Sequence, residues 1–261
     1  MGLALLTGWL ARGIGPVIVV EPTPSPFLRK LARDKSVTLV AAAPEVKARN
    51  IAACVVAIKP QILKNQASAL ADFAAPKKRS SGALMLSIAA GTSIAALSKA
   101  WGKSARIIRA MPNTPGAIGA GISGVYAGKG ATRGDCKLAV SLLAALGEVV
   151  WVGNESLIDT VTAVSGSGPA YLFLMAEALT EAGVAEGLPR VLAERLARAT
   201  VSGAGALLAA EKSPAASLRQ AVTSPGGTTE AALAVLMAAD GLPALIKRAV
   251  AAARKRAKEL R

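Results

Sequence analysis

Val17-Ile18-Val19-Val20 is a run of β-branched residues that ends at Glu21-Pro22, and it sets the pattern for residues 1–153. Similar apolar, strand-like runs recur at 37–40, 53–58, 83–88, 105–109, 122–126 and 149–152. Helical patterns lie between most of these runs, at 3–11, 27–33, 60–71, 94–100 and 135–146. Apolar strands that alternate with helices are typical of a parallel sheet covered on both faces. The sequence therefore predicts a doubly wound α/β domain over residues 1–153.

The second part of the chain, residues 154–261, carries helical patterns and no further strand signal. Proline is well tolerated in the first turn of a helix, and Ser or Thr is favoured at the N-cap before it. On this basis helices are predicted to start at Pro169, Pro189 and Pro214, at the N-cap Thr228, and over 242–260. The expected fold class is an α/β domain followed by an all-α domain, with the boundary at Gly153-Asn154.

The composition limits the kinds of partner that the protein can have. Hydrophobic residues make up 52% of the chain and aromatic residues only 3%, and no long apolar segment runs free of Gly, Pro or Ser. We therefore expect no membrane span. The formal net charge is +15, but Lys and Arg are scattered except in Arg254-Lys255-Arg256-Ala257-Lys258, with no aromatic residues between them. We expect a solvated basic surface that steers an anionic cofactor, and no nucleic-acid partner.

Histidine is absent, and the two cysteines, Cys54 and Cys136, stand far apart in no metal-binding or redox spacing. The sequence therefore predicts no metal site. Buried, reduced thiols in a cytoplasmic protein are the favoured interpretation. A disulfide between the two cysteines stays open at this point, because sequence alone does not fix their distance.

Two short segments rich in hydroxyl and glycine residues lead into predicted helices: Ser165-Gly166-Ser167-Gly168-Pro169-Ala170-Tyr171 and Ser224-Pro225-Gly226-Gly227-Thr228-Thr229. A helix start attracts anions, because its first N–H groups lack partners and the helix dipole is positive there. The chain has no His, and no acidic pair lies near either segment. The two segments therefore indicate capture of a small carboxylate rather than hydrolysis.

Four segments together resemble the pyrroline-5-carboxylate reductase family. They are Ala57-Ile58-Lys59-Pro60-Gln61, Arg109-Ala110-Met111-Pro112-Asn113-Thr114-Pro115 and the two hydroxyl–glycine segments, and they occur in the family's order. The resemblance runs from Met1 to about Leu260. It implies a Rossmann-like NAD(P)-binding domain followed by a helical dimerisation domain. It also implies hydride transfer from NADPH or NADH to the cyclic imine 1-pyrroline-5-carboxylate, which gives L-proline in the last step of proline biosynthesis.

One departure from the family concerns the start of the chain. Members of the family begin with a strand and a phosphate loop similar to Gly-x-Gly-Asn-Met-Gly, and Met1-Gly2 matches only the last two residues of that motif. The first strand of such a domain lies in the middle of the sheet. We expect a misassigned start codon, with the strand and the first glycines encoded upstream. The alternative is a truncated, inactive homologue that acts as a binding module.

The cofactor contacts that the resemblance implies all fall within residues 1–153. They are Met1, Gly2, Glu21, Thr23, Ser25, Ile58, Lys59, Pro60, Met111, Pro112 and Asn113. Lys59 resembles the residue near the nicotinamide ribose, and the loop at Met111 resembles the one that lies against the nicotinamide. Glu21 closes a strand, where a carboxylate favours NADH by binding the ribose 2′-hydroxyl. Thr23 or Ser25 would instead suit the 2′-phosphate of NADPH, so the cofactor preference stays open.

The resemblance places the substrate contacts in the two hydroxyl–glycine segments. They are Ser165, Ser167, Gly168, Ser224, Gly226, Gly227, Thr228 and Thr229. The hydroxyl of Ser224 and the amides of Gly226, Gly227 and Thr228 would bind the carboxylate, and glycine suits such close backbone approach. Thr229 would hydrogen-bond the ring nitrogen and is the candidate catalytic residue for its protonation, directly or through a water.

The helical part carries apolar stripes in at least three predicted helices, more than it can bury against itself. We therefore predict a homodimer with an interface above about 2,000 Å², and the resemblance implies that such dimers also build larger rings. A rival interpretation is another two-domain imine or β-hydroxyacid dehydrogenase, which would place an acid/base Lys in the helical domain. The Lys residues beyond Gly153 are Lys212, Lys247, Lys255 and Lys258, near a loop or in the last helix.

Overall fold

The computed structural model describes residues 1–47, 50–75 and 82–260. Its strands are β1 (Ile18–Val20), β2 (Thr38–Val40), β3 (Ala53–Val56), β4 (Leu84–Ser87), β5 (Ile107–Met111), β6 (Gly121–Ala127) and β7 (Gly147–Trp151). The helices among and just after them are α1 (Gly2–Ala11), α2 (Pro26–Arg33), α3 (Pro60–Gln66), α4 (Ala71–Ala74), α5 (Ile94–Trp101), α6 (Arg133–Leu143) and α7 (Leu157–Val161). Each strand-like run of the sequence is a strand in the structure, which confirms the predicted α/β pattern.

The strands form two sheets rather than one. β1 and β2 pair in parallel as a two-stranded sheet, and β3 to β7 form a five-stranded sheet in sequential order. Within the larger sheet β3, β4 and β5 are parallel, β6 is antiparallel to β5, and β7 is parallel to β6.

Apolar side chains from alternate positions of β4 enter two different cores. Leu84 and Leu86 pack with α1 and α6, whereas Met85 packs with α3 and α5 on the opposite face. Each core also holds a tryptophan whose indole N–H donates to a backbone carbonyl at 2.8 Å, Trp9 to Leu142 and Trp101 to Ala67. The sheet is therefore covered on both faces, as a doubly wound fold requires.

Polar side chains fix where the helices of this part begin. Ser25 and Ser93 each accept a backbone N–H in the first turn of α2 and α5. Thr132 and Asp135 form a capping box at the start of α6, in which each side chain accepts the other's backbone N–H. Asp135 is 3% exposed and also accepts from the guanidinium of Arg106 at 2.6 Å.

The second part consists of α8 (Gly168–Ala185), α9 (Arg190–Ala210), α10 (Ala215–Ala221), α11 (Thr228–Leu236) and α12 (Leu242–Glu259). This confirms the all-helical prediction, with local corrections at the helix starts. α8 begins at Gly168, one residue before Pro169, and Pro189 and Pro214 are the N-caps of α9 and α10 rather than their first residues. The N-cap of α11 is Gly227, and Thr228 is the first helical residue.

The chain divides into two compact units, one made of residues 1–166 and 254–261 and the other of residues 167–253. The first unit thus includes α7, which follows the predicted domain boundary at Gly153-Asn154. Cys54 in β3 and Cys136 in α6 are free and half-buried. In the described part of the chain, every helix is too short or too polar to cross a membrane.

Candidate active site

The carboxyl ends of β3 and β5 carry two of the predicted cofactor segments. Both strands run parallel to β4, which lies between them, so Ile58-Lys59-Pro60 and Met111-Pro112-Asn113 follow strand ends at one edge of the sheet. Ligands of open α/β sheets bind at this edge. Lys59 is exposed and is the N-cap of α3, and Pro60 is the first residue of that helix.

The start of α1 lies close to this edge. A Cβ at Gly2 would lie 3.1 Å from the Cβ of Ala57, the residue after β3. The N-cap of α1 is Met1, whose side chain makes no capping hydrogen bond. The first N–H groups of this ten-residue helix are therefore available to an anion.

Glu21, Thr23 and Ser25 follow β1, and each already has an intramolecular contact. One carboxylate oxygen of Glu21 accepts from the backbone N–H of Thr23 at 3.0 Å and from its hydroxyl at 3.2 Å. The hydroxyl of Ser25 caps α2 by accepting the N–H of Leu28 at 3.2 Å. Thr23 and Ser25 thus serve the local structure, and both of these hydrogen bonds to Glu21 go to the same oxygen, Oε1.

An open cavity of about 340 Å³ lies beside this segment and is lined by Pro24, Pro26, Arg29 and Arg33. Arg29 is held there, because its Nε donates to the carbonyl of Pro24 at 3.1 Å. The guanidinium groups of Arg29 and Arg33 therefore line a cavity beside the segment that carries Glu21. No sequence pattern identified these two arginines, since arginines at spacing i, i+4 on a helix usually lie on its solvent-exposed face.

The loop after β5 is rigid for an internal reason. The side-chain oxygen of Asn113 accepts the N–H of Ile122 at 2.9 Å, so Asn113 holds the turn between β5 and β6. Pro112 keeps the residue before it extended. Met111 packs against Gly166, where a Cβ would lie 2.8 Å from the Met111 Cε. The structure thus brings the predicted nicotinamide loop next to the first hydroxyl–glycine segment.

The first hydroxyl–glycine segment is not the loop that the sequence suggested. α7 continues into a π-helical turn, Thr162–Gly166, in which the hydroxyl of Ser165 donates to the carbonyl of Val161 at 3.0 Å. Ser167 is the N-cap of α8 without a side-chain capping bond, and Gly168 is the first residue of that helix. Wide turns of this kind are often found at functional sites.

The second hydroxyl–glycine segment is a turn before α11 in the other compact unit. Gly226 has φ +68°, which favours glycine. Gly227 lies so close to Ser224 that a Cβ would be 2.6 Å from the Ser224 hydroxyl. The carboxylate of Glu230 accepts the N–H of Gly226 at 2.7 Å. Ser224 and Thr228 are exposed and Thr229 is half-buried, so the turn presents the predicted groups and already binds one carboxylate.

One polar cluster was missed by sequence reasoning. Arg109 in β5 is only 2% exposed, and its guanidinium donates to an oxygen of Glu155 at 2.6 Å. The same oxygen accepts the N–H of Ile94 at 2.7 Å. The available signal was the arginine itself, because a charged residue inside an apolar strand needs a partner, but the partner lies 46 residues away.

An α/β unit with an open carboxyl edge, followed by helices that present amide and hydroxyl groups to a carboxylate, defines the class of dinucleotide-dependent reductases and dehydrogenases. The family description "Pyrroline-5-carboxylate reductase dimerisation" matches residues 155–260. The pyrroline-5-carboxylate reductase of Pseudomonas aeruginosa is 38% identical over 261 residues, which is 100% of this chain and 93% of that protein.

Solved structures agree with the sequence match. A pyrroline-5-carboxylate reductase from Coxiella burnetii has a TM-score of 0.88 at 37% identity and covers 99% of this chain and 94% of its own. The Plasmodium falciparum pyrroline carboxylate reductase with NADP bound has a TM-score of 0.82 at 27% identity, over 100% and 94% of the two chains. The chain belongs to the pyrroline-5-carboxylate reductase family.

Proposed function

We propose that the protein reduces 1-pyrroline-5-carboxylate to L-proline with NADPH or NADH, the last step of proline biosynthesis. The observation that carries the proposal is the turn before α11, where the N–H of Gly226 already binds a carboxylate, that of Glu230. The substrate is a small ring that carries a carboxylate, and the turn offers that group further amide and hydroxyl donors. Full-length similarity to the Pseudomonas aeruginosa reductase supports the same substrate.

The residues at the carboxyl edge fit a nicotinamide dinucleotide. The uncapped start of α1 suits a pyrophosphate, and the close approach of Gly2 to Ala57 leaves no room for a side chain there. Glu21 would hold the ribose, and Ile58, Lys59 and Pro60 would line the path towards the nicotinamide. The nicotinamide would lie against Met111 and Pro112, while Asn113 keeps that loop rigid.

Both hydroxyl–glycine segments would contribute groups that bind the substrate. Ser224, Gly226 and Thr228 would bind its carboxylate through one hydroxyl and two amides; the amide of Gly227, expected to be a third, instead donates to the carbonyl of Ser224 at 3.0 Å. Ser165, Ser167 and Gly168 would contact the ring. Thr229 would donate a hydrogen bond to the ring nitrogen as the candidate catalytic residue.

The chemistry places few demands on the protein. The bound cofactor supplies a hydride, with its two electrons, to carbon C5 of the C=N bond, and the ring nitrogen ends with the proton. An imine nitrogen is basic enough to arrive protonated, so the side chains need to orient the ring rather than supply a strong acid. Where the imine binds neutral, the proton would come from solvent through a water that Thr229 holds, so that the hydroxyl keeps its own proton.

We propose that the helical unit forms a homodimer and that such dimers assemble into rings. Few of its side chains are buried in one chain, chiefly Ala193 and Ala197 of α9. Large apolar side chains remain exposed along its helices, among them Leu172, Phe173, Leu174, Val191, Leu207, Val222 and Val235. Burying such a surface against a second copy gives an obligate type of interface.

We propose that the dimerisation domain begins at residue 154, since the family match begins at 155. We also propose that the protein is cytoplasmic, since its cysteines are free.

Two measurements test these proposals. Oxidation of NADPH and NADH at 340 nm should depend on added pyrroline-5-carboxylate, and Ser224→Ala should raise KM for the imine more than it lowers kcat. An absence of turnover in the folded wild-type protein would refute the reductase and favour a binding module. Phe173→Glu should convert the dimer to monomer by light scattering, whereas Ile118→Glu, at an even more exposed apolar residue of the first unit, should not.

A further inference from the structure

Glu155 joins β5 to the start of α5. Its Oε1 accepts from the Arg109 guanidinium at 2.6 Å and from the N–H of Ile94 at 2.7 Å. Arg109 lies two residues before Met111 in β5, and Ile94 opens α5 directly after the loop that follows β4. A single carboxylate oxygen thus ties the middle of β5 to the first residue of α5.

Glu155 begins a segment that runs to Gly166, and the far end of this segment also packs on the sheet. Met111 and Gly124 are register partners in β5 and β6. Val161 of α7 lies over Gly124, where a Cβ would be 2.6 Å from its Cγ1, and Gly166 lies against Met111, where a Cβ would be 2.8 Å from its Cε. Residues 155–166 are therefore fixed to the Met111 end of β5 by an ion pair at one end and by two glycine contacts at the other.

We infer that Glu155 is a positioning residue for hydride transfer. It acts through Arg109 and the glycine contacts, and it sets the position of Ser165 relative to the Met111 loop. The inference rests on the proposed function, in which Ser165 bounds the substrate and Met111 bounds the nicotinamide. Hydride transfer is sensitive to such a position, because a displacement of about 1 Å can lower the rate about 100-fold.

A glutamine at this position keeps the size of the side chain and loses its charge. The Arg109 guanidinium, 2% exposed, would then lack a counter-charge and would turn towards another acceptor. The position of residues 155–166 relative to β5 would then no longer be fixed. The donors for the substrate carboxylate lie in the other unit and would be unaffected. The expected defect is therefore in the chemical step and not in substrate binding.

The experiment compares Glu155→Gln with Glu181→Gln in the full-length dimer. Glu181 forms an equally short ion pair with Arg190, but both side chains are exposed, so it is a matched control. For Glu155→Gln, kcat should fall about 10- to 100-fold while KM for the imine stays within about a factor of three. The deuterium isotope effect on kcat, measured with cofactor deuterated at the transferred position, should rise, and cofactor affinity from fluorescence quenching should stay near wild type.

A second variant guards against a folding defect in the first. Gly166→Ala places a methyl group against Met111, and it should reproduce the loss of kcat and the larger isotope effect. Gly153→Ala, where a Cβ meets nothing within 4 Å, should leave both unchanged. Unchanged kcat in folded Glu155→Gln, or a loss explained wholly by weaker cofactor binding, would overturn the inference. Inactive wild-type protein would instead overturn the proposed function, so the two failures are distinguishable.

Discussion

Glu230 accepts a hydrogen bond from an N–H group that the proposed substrate would also use. Its Oε2 accepts the N–H of Gly226 at 2.7 Å, and the same N–H is one of the two amides proposed for the substrate carboxylate. One N–H group cannot serve two carboxylates at full strength. Glu230 therefore competes with the substrate, and we predict that Glu230→Gln lowers KM for the imine.

The structure sets the size of this effect. A hydrogen bond to a charged group contributes about 1.5–3 kcal/mol where solvent is excluded. Glu230 is exposed, so screening by water reduces its contribution to about 0.5–1 kcal/mol. Removing that competition corresponds to a two- to fivefold decrease in KM, since about 1.4 kcal/mol is a factor of ten.

The assay is NADPH oxidation at 340 nm over a range of imine concentrations, with L-proline binding measured in parallel. Glu186→Gln removes an exposed carboxylate at the end of α8 and should leave KM unchanged. kcat should change little in Glu230→Gln, because the reacting atoms are untouched. A higher KM in Glu230→Gln would refute the reasoning and would show that Glu230 holds the turn in its binding shape.

Other predictions concern stability, cofactor choice and thiol chemistry. Asp135→Asn breaks the buried pair with Arg106 and should cost about 2–4 kcal/mol, a fall in Tm of roughly 5–10 °C in calorimetry, whereas Asp34→Asn, at an exposed position, should not. Glu21→Ala should shift the ratio of kcat/KM values towards NADPH by roughly tenfold or more, because a carboxylate facing a phosphate costs several kcal/mol; an unchanged ratio would exclude Glu21 from the ribose site. Burial raises the pKa of the Cys54 thiol from 9.0 to about 12. Its alkylation at pH 8 should therefore require unfolding, and stability should decline as pH rises from about 9 towards 12, where only the unfolded thiol ionises; rapid alkylation of the folded protein would contradict this.

Much of the fold follows from local sequence. Val17–Val20 and the later apolar runs are strands because β-branched and large apolar residues fit a buried pleated surface, and proline marks the starts of α2 and α3. The residues after β3 and β5 could be placed at one edge of the sheet because parallel strands end together. These inferences need only neighbours along the chain.

The features that sequence reasoning missed depend on distant contacts. Ser165 and Gly166 have low helix propensity, yet they lie in a helical turn because Met111 and Gly124 offer close packing to that segment. Arg109 indicates that a buried partner is needed but does not identify it. Glu155 lies beyond β6 and β7 in the chain, in the turn before α7, so no local pattern links the two residues. The competition by Glu230 was also hidden, because Glu at the third helical position ordinarily indicates a helix cap.

The separation of the β1–β2 pair from the larger sheet has a consequence for local unfolding. Each of these strands is three residues long and none of their residues is fully buried, so the strand pair has fewer buried side chains to resist opening than β4 and β5 have. Amide hydrogens of β1 and β2 should exchange at a much lower free energy than those of β4 and β5, whose residues are almost all buried. The end of β1 carries Glu21, so a bound dinucleotide would protect this segment most. The adenosine side of the site would then become ordered through binding, and part of the binding free energy would be spent on folding it.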